Sequence, residues 1–355
     1  MIPPPFVKEV SPMLVKNVFS PDRAVPVART YLLLGGTGTI STGCMEFLRH
    51  GHEVTCMNRG SRELSAGVEQ IVCDVNDEAA VAKVMEGRYF DVVVDFLTYA
   101  PEQAEMRIRN FLGKCGRFVF ISTAMTYEKP PRTLFVSEKT PQCNPYSPYA
   151  QNKIRCEAIF RAAMKTQGLP LTIIRPSYTY GVYDVPFVLR PRGKAFSLIK
   201  RMREGKPILI PGDGNIFWTI THNSDFARAL AGLMDNPDTL GEDFHLTTDE
   251  CMTWDAFCRV IAEAAGAPEP HIVHVATDVL CREDASLVEA LIGDKSQTAV
   301  FDNTKLRQYL PGFRYLMSFK EGVKKSIATM DADPALQVTD PQWDSWCDEM
   351  IRRYG

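Results

Sequence analysis

The sequence has no marked excess of charge of either sign, no long apolar run and no closely spaced pair of cysteines. Its 40 Lys and Arg residues against 43 Asp and Glu residues give a formal net charge of −3. That balance offers no electrostatic basis for binding nucleic acid or a membrane surface. No window approaches the roughly 18 to 20 apolar residues of a membrane helix. We therefore expect no nucleic acid and no membrane among the partners.

None of the ten cysteines forms a Cys-x-x-Cys pair, and several lie in apolar runs, where a free thiol behaves as a small hydrophobic group. The first residues contain three consecutive prolines and lack the apolar stretch of a secretory signal. These features predict a reducing, cytoplasmic location. We also predict no metal site, because His271 and His274 would face opposite sides of a strand.

From residue 30 onward, short apolar runs alternate with longer amphipathic stretches. Runs at 31–34, 53–57, 70–73, 91–96, 117–121 and 171–175 predict strands, and 42–50, 79–86, 102–113 and 147–167 predict helices. Apolar strands separated by helices are typical of a parallel sheet that is covered on both faces. We therefore predict an α/β fold: a Rossmann-type, doubly wound parallel sheet with a smaller, discontinuous C-terminal substrate cap.

The alternation breaks down after about residue 181, where proline and glycine become frequent and helices then dominate. We assign residues 1–28 to an N-terminal arm of unassigned role. Residues 29–181 and 215–240 are assigned to a dinucleotide-binding domain, because 224–236 is expected to return to it. Residues 182–214 and 241–355 are assigned to the substrate-binding cap and C-terminal helices.

The segment LLLGGTGTIS at 32–41 reads as a strand, a tight glycine turn and the start of a helix. Gly35 and Gly38 permit the turn and let backbone amides approach a pyrophosphate, while a helix that begins near Thr39 directs its positive end at that charge. The strand and the helix on either side raise the significance of this otherwise weak glycine signal. Thr37 and Ile40 complete the predicted pyrophosphate site.

The second strand ends in Asn58 and Arg59, where an NAD-specific site usually has an acidic residue. A guanidinium pairs with a 2′-phosphate and also stacks on adenine. The sequence therefore favours NADP over NAD and leaves NAD open. Asp74 and Val75, after the third predicted strand, are expected at the adenine edge, although Asp74 is equally well explained as a turn or helix-capping residue.

Tyr149 and Lys153 are four residues apart on a predicted helix and therefore share one face. A nearby ammonium lowers the pKa of a phenol, which allows proton exchange near neutral pH. The lysine would also bind the nicotinamide ribose. The segment FVFIST at 118–123, which continues the predicted strand at 117–121, ends in Ser122 and Thr123. A hydroxyl there would hold the substrate oxygen.

Over roughly residues 30–330 the sequence resembles the extended short-chain dehydrogenase/reductase family, often described as NAD-dependent epimerase/dehydratase. The matching segments are GGTGTIS at 35–41, FVFISTAMTY at 118–127, YAQNK at 149–153, RPSYTYG at 175–181 and PGDGNIFWTITHNSDFA at 211–227. The resemblance implies Tyr149 as the acid/base, Lys153 as its partner and Thr123 as the substrate-binding hydroxyl. It also implies a homodimer.

The same resemblance places further residues around the cleft. Phe96, Leu97, Ser122, Pro176 and Ser177 would contact the dinucleotide. Ala124, Met125, Tyr178, Trp218 and His222 would face the substrate, although His222 is also consistent with a structural histidine and Trp218 with cap core.

Two departures from the family pattern bear on the reaction. Related 4,6-dehydratases carry Asp-Glu directly after the catalytic threonine, whereas this chain has Ala124 and Met125, which transfer no proton. Trp218 replaces an arginine that grips the diphosphate in nucleotide-sugar enzymes, and an indole carries no charge. Four basic residues lie just before this segment: Arg190, Arg192, Lys200 and Arg201. One or more of them could supply the compensating charge, or they form only a solvated helix face.

The leading hypothesis is an NAD(P)-dependent, epimerase-like oxidoreductase that acts on a hydroxyl of a sugar or nucleotide sugar. The alternative within enzymes is an NADPH-dependent carbonyl reductase with a non-nucleotide substrate, which Arg59 and the missing diphosphate arginine favour. A third hypothesis is a non-catalytic dinucleotide-sensing or RNA-associated protein, which the intact Thr123, Tyr149 and Lys153 set argues against.

Overall fold

The computed structural model describes residues 28–355 of the 355-residue chain. The predicted N-terminal arm, apart from its last residue, lies outside the described residues. Of the helices described, none is long and apolar enough to cross a membrane.

A seven-stranded parallel sheet forms the larger part of the molecule. Its strands are β1 (Thr30–Leu34), β2 (Glu53–Asn58), β3 (Glu69–Val72), β4 (Val92–Asp95), β5 (Phe118–Ile121), β7 (Leu171–Pro176) and β11 (Asp243–Leu246). They are ordered β11-β7-β5-β4-β1-β2-β3, and each neighbouring pair is parallel. The order reverses direction between β1 and β4, and this switch point opens a crevice at the carboxyl ends of the strands. The predicted doubly wound α/β fold is confirmed.

Helices cover both faces of this sheet. They are α1 (Thr39–Leu48), α2 (Glu78–Val84), α3 (Pro101–Phe111), α4 (Pro148–Gln167) and α6 (Asn223–Asp235). Because successive strand residues point to opposite faces, Tyr31 and Leu33 pack with Phe226 of α6, while Leu32 and Leu34 pack in a separate cluster with Phe160 of α4. The near-continuous apolar character of the strands follows from this burial on both faces.

The second part of the molecule is built from small sheets and helices. Its strands are β8 (Tyr178–Tyr180), β10 (Phe217–His222) and β12 (Cys251–Thr253) in one sheet, β9 (Ile208–Pro211) with β13 (Ile272–Val275), and β6 (Phe135–Val136) with β14 (Val300–Phe301). Its helices are α5 (Phe196–Arg203), α7 (Trp254–Ala264), α8 (Thr277–Glu283), α9 (Leu287–Ala290), α10 (Thr304–Tyr309), α11 (Phe319–Ala332) and α12 (Pro341–Tyr354). Apart from α10, whose Leu306 packs in the core of the large sheet, these elements share one apolar cluster that includes Trp218, Trp254 and Phe257.

The predicted boundary at residue 241 does not match the strand pairing. β11 lies beyond that boundary, yet it forms the edge of the large sheet beside β7. Phe244 and Leu246 are fully buried in the cluster that also contains Phe226 and Ile174, which explains why this short strand joins the larger core. The α6 helix packs against α1, as the predicted return of 224–236 requires.

Candidate active site

A cleft of about 770 Å³ opens where β1, β4, β5 and β7 end. Of the residues predicted to bind cofactor or substrate or to act in catalysis, all but one line this cleft. They are Gly35, Thr37, Gly38, Thr39, Ile40, Asn58, Arg59, Asp74, Val75, Phe96, Leu97, Ser122, Thr123, Ala124, Met125, Tyr149, Lys153, Pro176, Ser177, Tyr178 and Trp218. The structure therefore brings together motifs that are up to 180 residues apart in the sequence.

The glycine turn between β1 and α1 has the geometry that a dinucleotide requires. Gly35 has a φ of +87°, a conformation that other residues rarely adopt, and an added Cβ would lie 2.6 Å from Cγ of Leu97. The α1 helix begins directly after Gly38, so its unpaired amides and positive end lie at the cleft. The Gly35 amide donates a hydrogen bond of 3.0 Å to the carbonyl oxygen of Met57, which holds the turn against β2.

Exposed basic and polar groups line the far end of the cleft, at the ends of β2 and β3. Arg59 is exposed, and Arg62 donates a hydrogen bond to the carbonyl oxygen of Thr37 in the glycine turn, at 2.8 Å. The Asn58 Oδ1 atom accepts from the Gly60 amide at 2.8 Å. The Asp74 carboxylate accepts from the Asn76 amide at 2.9 Å, so it also serves the turn role that was left open for it.

A fully buried arginine lies beneath this end of the cleft. Arg107 of α3 donates to the Val75 carbonyl oxygen and to Oδ1 of Asn76, and its Nε atom is 3.7 Å from Oδ2 of Asp95. Asp95 ends β4 and is itself fully buried. This ion pair therefore fixes the loop after β3 to the end of β4, directly below the cleft.

Lys153 lies at the base of the cleft with almost no exposure. Its Nζ atom donates to the carbonyl oxygens of Thr98, at 2.6 Å, and Ile121, at 2.8 Å. It also lies 4.7 Å from the ring centre of Tyr99 and 5.9 Å from that of Tyr149. Burial lowers the pKa of Lys153 to about 8, and the charge of Asp95 opposes that change.

Burial is also the largest influence on Tyr149. It raises the pKa of the phenol above its usual value, and the nearby Tyr99 phenol acts in the same direction, while the Thr123 hydroxyl opposes them. The surroundings of Tyr149 therefore raise the pKa of its phenol, opposite to the lowering expected from Lys153. The reason is geometric: the Lys153 ammonium is turned toward backbone carbonyls and Tyr99 and is farther from the Tyr149 ring.

A buried ion network holds the helix that carries both residues. Glu157, one turn beyond Lys153 on α4, accepts from the Ser122 hydroxyl at 2.6 Å and from Arg175 Nε at 2.9 Å. Arg175 on β7 also pairs with Asp243 on β11. Glu157 and Arg175 are only 1% and 2% exposed. The network therefore ties α4 to β5, β7 and β11, and sets the distance from Tyr149 to the end of β5.

The other end of the cleft is formed by residues from the second part of the molecule. Trp218 is 1% exposed and stacks on Trp254 with ring centres 5.7 Å apart, and its indole N–H has no hydrogen-bond partner among the described residues. Lys129, Asp294 and Lys295 also line this end. None of these three charged residues was identified from the sequence.

His222 is the one predicted site residue that does not line the cleft. It precedes α6, where its Nδ1 atom accepts from the backbone amide of Ser224 at 3.2 Å. Its ring packs edge-on against Tyr180, with centres 5.1 Å apart. Its assignment to substrate binding is therefore corrected to the structural role that was the alternative.

The four basic residues proposed to supply compensating charge do not line the cleft either. Arg190 pairs with Asp184 at 2.6 Å, and Arg201 is buried against Asp344 and Asp348. Lys200 lies near Glu204, at 3.8 Å. Arg192 is exposed. Burial raises the pKa of Tyr99 at the edge of the cleft, and the charge of Arg192 only partly opposes this.

Several residues that line the cleft were missed from the sequence. Some lie in or within a few residues of the motifs and predicted site residues and could have been included on that basis: Ser41, Ser61, Arg62, Cys73, Asn76, Tyr99, Ile121 and Thr179. Asp294, Lys295, Ala299 and Phe301 carry no sequence signal, because they follow no motif and lie far along the chain from β5. Among the described residues there is no group of three His, Cys, Asp or Glu side chains suited to a metal ion.

Comparison with known proteins agrees with this geometry. The model of the NAD dependent epimerase/dehydratase family matches residues 31–246, which is more than half of the chain. The chain therefore belongs to the NAD dependent epimerase/dehydratase family, a family of enzymes.

Two curated relatives and one solved structure illustrate the breadth of the family. The chain is 27% identical to a chloroplast stem-loop binding protein of 41 kDa from Arabidopsis thaliana, over 73% of this chain and 70% of that protein. It is 29% identical to a dTDP-glucose 4,6-dehydratase from Salmonella typhimurium, over 83% and 91% of the two chains. A UDP-glucuronic acid 4-epimerase from Bacillus cereus, solved in complex with NAD, has a TM-score of 0.66 at 18% identity, over 85% and 99% of the two chains.

Proposed function

We propose that this protein is an NAD(P)-dependent oxidoreductase that interconverts a hydroxyl and a carbonyl group of a sugar or nucleotide sugar in an epimerase-like cycle. The observation that carries the proposal is the convergence of Thr123, Tyr149 and Lys153 in the same cleft as the glycine turn. The glycine turn at the helix start and the almost fully buried ammonium of Lys153 are together suited to a nicotinamide dinucleotide. When bound there, the nicotinamide would exchange hydride with the substrate carbon.

In this proposal Tyr149 takes the proton of the substrate hydroxyl and returns it when the carbonyl has presented its other face. Thr123 holds the substrate oxygen beside the phenol. Lys153 supplies positive charge, and the carbonyl oxygens of Thr98 and Ile121 orient its ammonium. Because burial raises the pKa of Tyr149, proton loss from the phenol needs additional stabilisation of the phenolate, which the positive charge of a bound oxidised nicotinamide would supply.

Epimerisation is favoured over dehydration by the side chains next to Thr123. Ala124 and Met125 line the cleft at this point, and neither exchanges a proton. Elimination of water from a sugar requires an acid and a base beside the reacting carbons, in addition to the tyrosine. Among the described residues that line the cleft, the carboxyl groups belong to Asp74, at the end of β3, and Asp294.

The cofactor form that we propose is NADP. Arg59 and Arg62 both line the end of the cleft where the second strand finishes, and Asn58 occupies the position of the usual acidic residue. Two guanidinium groups are suited to a 2′-phosphate. The same two residues favour the second candidate, an NADPH-dependent carbonyl reductase that consumes one cofactor for each product.

The stem-loop binding relative gives a reason to keep an RNA-associated role as a further alternative. Such a role requires no proton transfer at Tyr149. Mutation of Tyr149 therefore distinguishes an RNA-associated role from both enzyme candidates.

The first test is to denature the purified protein and identify any nucleotide that is released. Stoichiometric NAD or NADP is the expected result for an epimerase, because the cofactor is regenerated in each cycle. A protein that is isolated empty and exchanges NADPH freely would instead support the reductase. Failure to bind either dinucleotide would contradict both enzyme candidates.

The second test is Tyr149→Phe, which removes the phenolic proton and keeps the ring. We expect turnover to fall about a hundred- to ten-thousand-fold, the range for loss of a general acid/base. Dinucleotide binding should stay within experimental error, as measured by fluorescence titration. Full turnover in this variant would remove Tyr149 from the mechanism, and a retained cellular RNA-related role in a variant without turnover would favour the third candidate.

A further inference from the structure

The end of the cleft that is lined by Trp218 and Tyr178, the substrate end in the proposed function, holds two lysine ammonium groups on the faces of these two aromatic rings. The Nζ atom of Lys129 lies 5.6 Å from the ring centre of Trp218, and that of Lys295 lies 5.1 Å from the ring centre of Tyr178. All four residues line the cleft. Two separate segments thus direct positive charge to the same end of one cavity.

The backbone around both lysines is fixed by hydrogen bonds. The Lys129 amide donates to the Cys143 carbonyl oxygen at 2.9 Å, which anchors the loop after β5. The Lys295 carbonyl oxygen accepts from the indole N–H of Trp254 at 2.9 Å. Because Trp254 stacks on Trp218, the two lysine-bearing segments are held against the same aromatic pair. The fold therefore fixes the points from which both lysine side chains extend into the cleft.

These charges are only partly balanced by the protein around them. Asp294 lies 3.8 Å from Lys295, and their side chains are 14% and 19% exposed. No carboxylate of residues 28–355 lies within 4 Å of the Lys129 ammonium. Burial lowers the pKa of Lys129, and the charge of Asp294 only partly opposes this. One carboxylate thus faces two ammonium groups in a partly desolvated cavity, an arrangement that a negatively charged ligand would stabilise.

This end of the cleft also lies close to the proposed reacting groups. Glu289, on the α9 helix that leads into residues 291–295, accepts from the backbone amide of Tyr149 at 3.2 Å, and Lys295 and Tyr149 line the same cleft. A ligand held by the lysines would therefore extend toward Tyr149 and Thr123. None of the four basic residues that precede β10 lines this cavity itself. Arg190 reaches its wall from behind: its Nε atom donates to the Tyr178 hydroxyl at 3.1 Å, and its charge is paired with Asp184.

We propose that Lys129 and Lys295 bind an oxyanion group of the substrate, a phosphate or a carboxylate, at the end of the cleft opposite Arg59. This inference rests on the proposed function, which places the reaction at Tyr149 and Thr123. It adds that the substrate is negatively charged and that Lys129 and Lys295 bind its charged group. Trp218 and Tyr178 form the apolar walls on which the two ammonium groups lie.

The test compares three small sugars of matched size: glucose 1-phosphate, glucuronate and glucose. Each is titrated calorimetrically at low salt into the wild-type protein, Lys129→Gln and Lys295→Gln. Lys200→Gln, on the exposed face of α5 outside the cleft, is the matched control. Lys295→Arg keeps the charge, and NADPH and NADH binding to every variant reports whether the fold and the dinucleotide site are intact.

Each Lys→Gln substitution is expected to weaken binding of the charged sugars by about ten- to a hundred-fold, the loss expected for one charge-assisted hydrogen bond. Glucose and dinucleotide binding should be unchanged, and Lys295→Arg should retain most of the affinity. A loss confined to glucose 1-phosphate identifies a phosphate as the ligand group, and a loss confined to glucuronate identifies a carboxylate.

Two results would overturn the proposal. One is a wild-type protein that binds dinucleotide but neither charged sugar. The other is equal binding of the charged sugars by the wild type and both Lys→Gln variants, since phosphate bound only at the glycine turn would be insensitive to these changes. Absence of dinucleotide binding would instead count against the proposed function, because the sugars are titrated without cofactor.

Discussion

The two ends of the cleft are built in different ways. The cofactor end is formed by the carboxyl ends of adjacent strands of one sheet and by the turns that follow them, so residues such as Gly35, Arg59 and Asp74 are close to regular elements. The substrate end combines the loop after β5, the β10 strand and the helical turn at residues 291–295. Its charged residues come from two distant parts of the chain, Lys129 from the loop after β5 and Asp294 with Lys295 from this helical turn.

This difference separates residues that are positioned by local geometry from residues that are positioned by long-range packing. The glycine turn and the Tyr149–Lys153 pair depend on local geometry: a strand, a turn and a helix face. The substrate end depends on long-range packing of Trp218 on Trp254, which brings Lys129 and Lys295 to the same cavity. Specificity is therefore expected to vary with segments that contain no recognisable motif.

The largest effect on stability is expected in the buried ion network of Glu157 and Arg175, which joins the α4 helix to the large sheet. Glu157→Gln removes the charge by which the α4 helix is held to Arg175 and Ser122. Because Arg175 then stays buried with an incomplete set of partners, we expect the free energy of unfolding to fall by about 3 kcal/mol or more. Urea denaturation followed by circular dichroism measures the change.

A matched control breaks an exposed ion pair. Glu78→Gln removes the partner of Arg109 on the surface, where solvent screens the interaction, and should leave the unfolding midpoint almost unchanged. Equal effects of the two substitutions would mean that the buried network does not support the catalytic helix as described.

The sequence predicts the cofactor end much better than the substrate end, and the reason is physical. Gly35, Tyr149 and Lys153 act through spacing within one element or between adjacent ones, and spacing is visible in a sequence. The ionisation of Tyr149 was mispredicted, because the direction of the Lys153 ammonium depends on the carbonyl oxygens of Thr98 and Ile121.

The substrate end shows the opposite case. Trp218 was identified by its place in a motif, whereas Lys129, Asp294 and Lys295 were missed. Arg201 was nominated because it lies near that motif in the sequence, but its side chain is buried against Asp344 and Asp348. Proximity in sequence is a poor guide where several short segments pack together, because the contacts are set by tertiary structure alone.

A smaller effect is expected at the cofactor end from the two exposed arginines. Substitution of both Arg59 and Arg62 by Gln should weaken NADPH binding by about ten-fold or more, through loss of charge-assisted hydrogen bonds to the 2′-phosphate. NADH binding should change little, because NADH lacks that phosphate. Arg88→Gln, which removes an exposed partner of Glu69 outside the cleft, is the control. Equal weakening of NADPH and NADH would assign the arginines to adenine or to the fold instead.

The smallest effect on ligand binding is predicted for His222, the residue expected at the substrate end that the structure places outside the cleft. Burial lowers the pKa of its imidazole from 6.5 to about 4, so the unfolded chain binds more protons than the folded protein between these values. Stability is therefore present above pH 6.5 and is lost as the pH falls toward 4, and the contribution of His222 between pH 7 and pH 5 is about 2 kcal/mol.

His222→Asn keeps a side chain that caps α6 and removes the titrating group. We expect the loss of stability between pH 7 and pH 5 to become smaller by that amount in urea denaturation, although the buried His245, whose pKa is also lowered to about 4, keeps part of the dependence in both proteins. Binding of dinucleotide and of charged sugars at pH 7 should be unchanged. If the substitution instead impaired sugar binding while the pH dependence persisted, His222 would belong to the substrate end after all, and the boundary drawn here between the cleft lining and its structural surroundings would have to move.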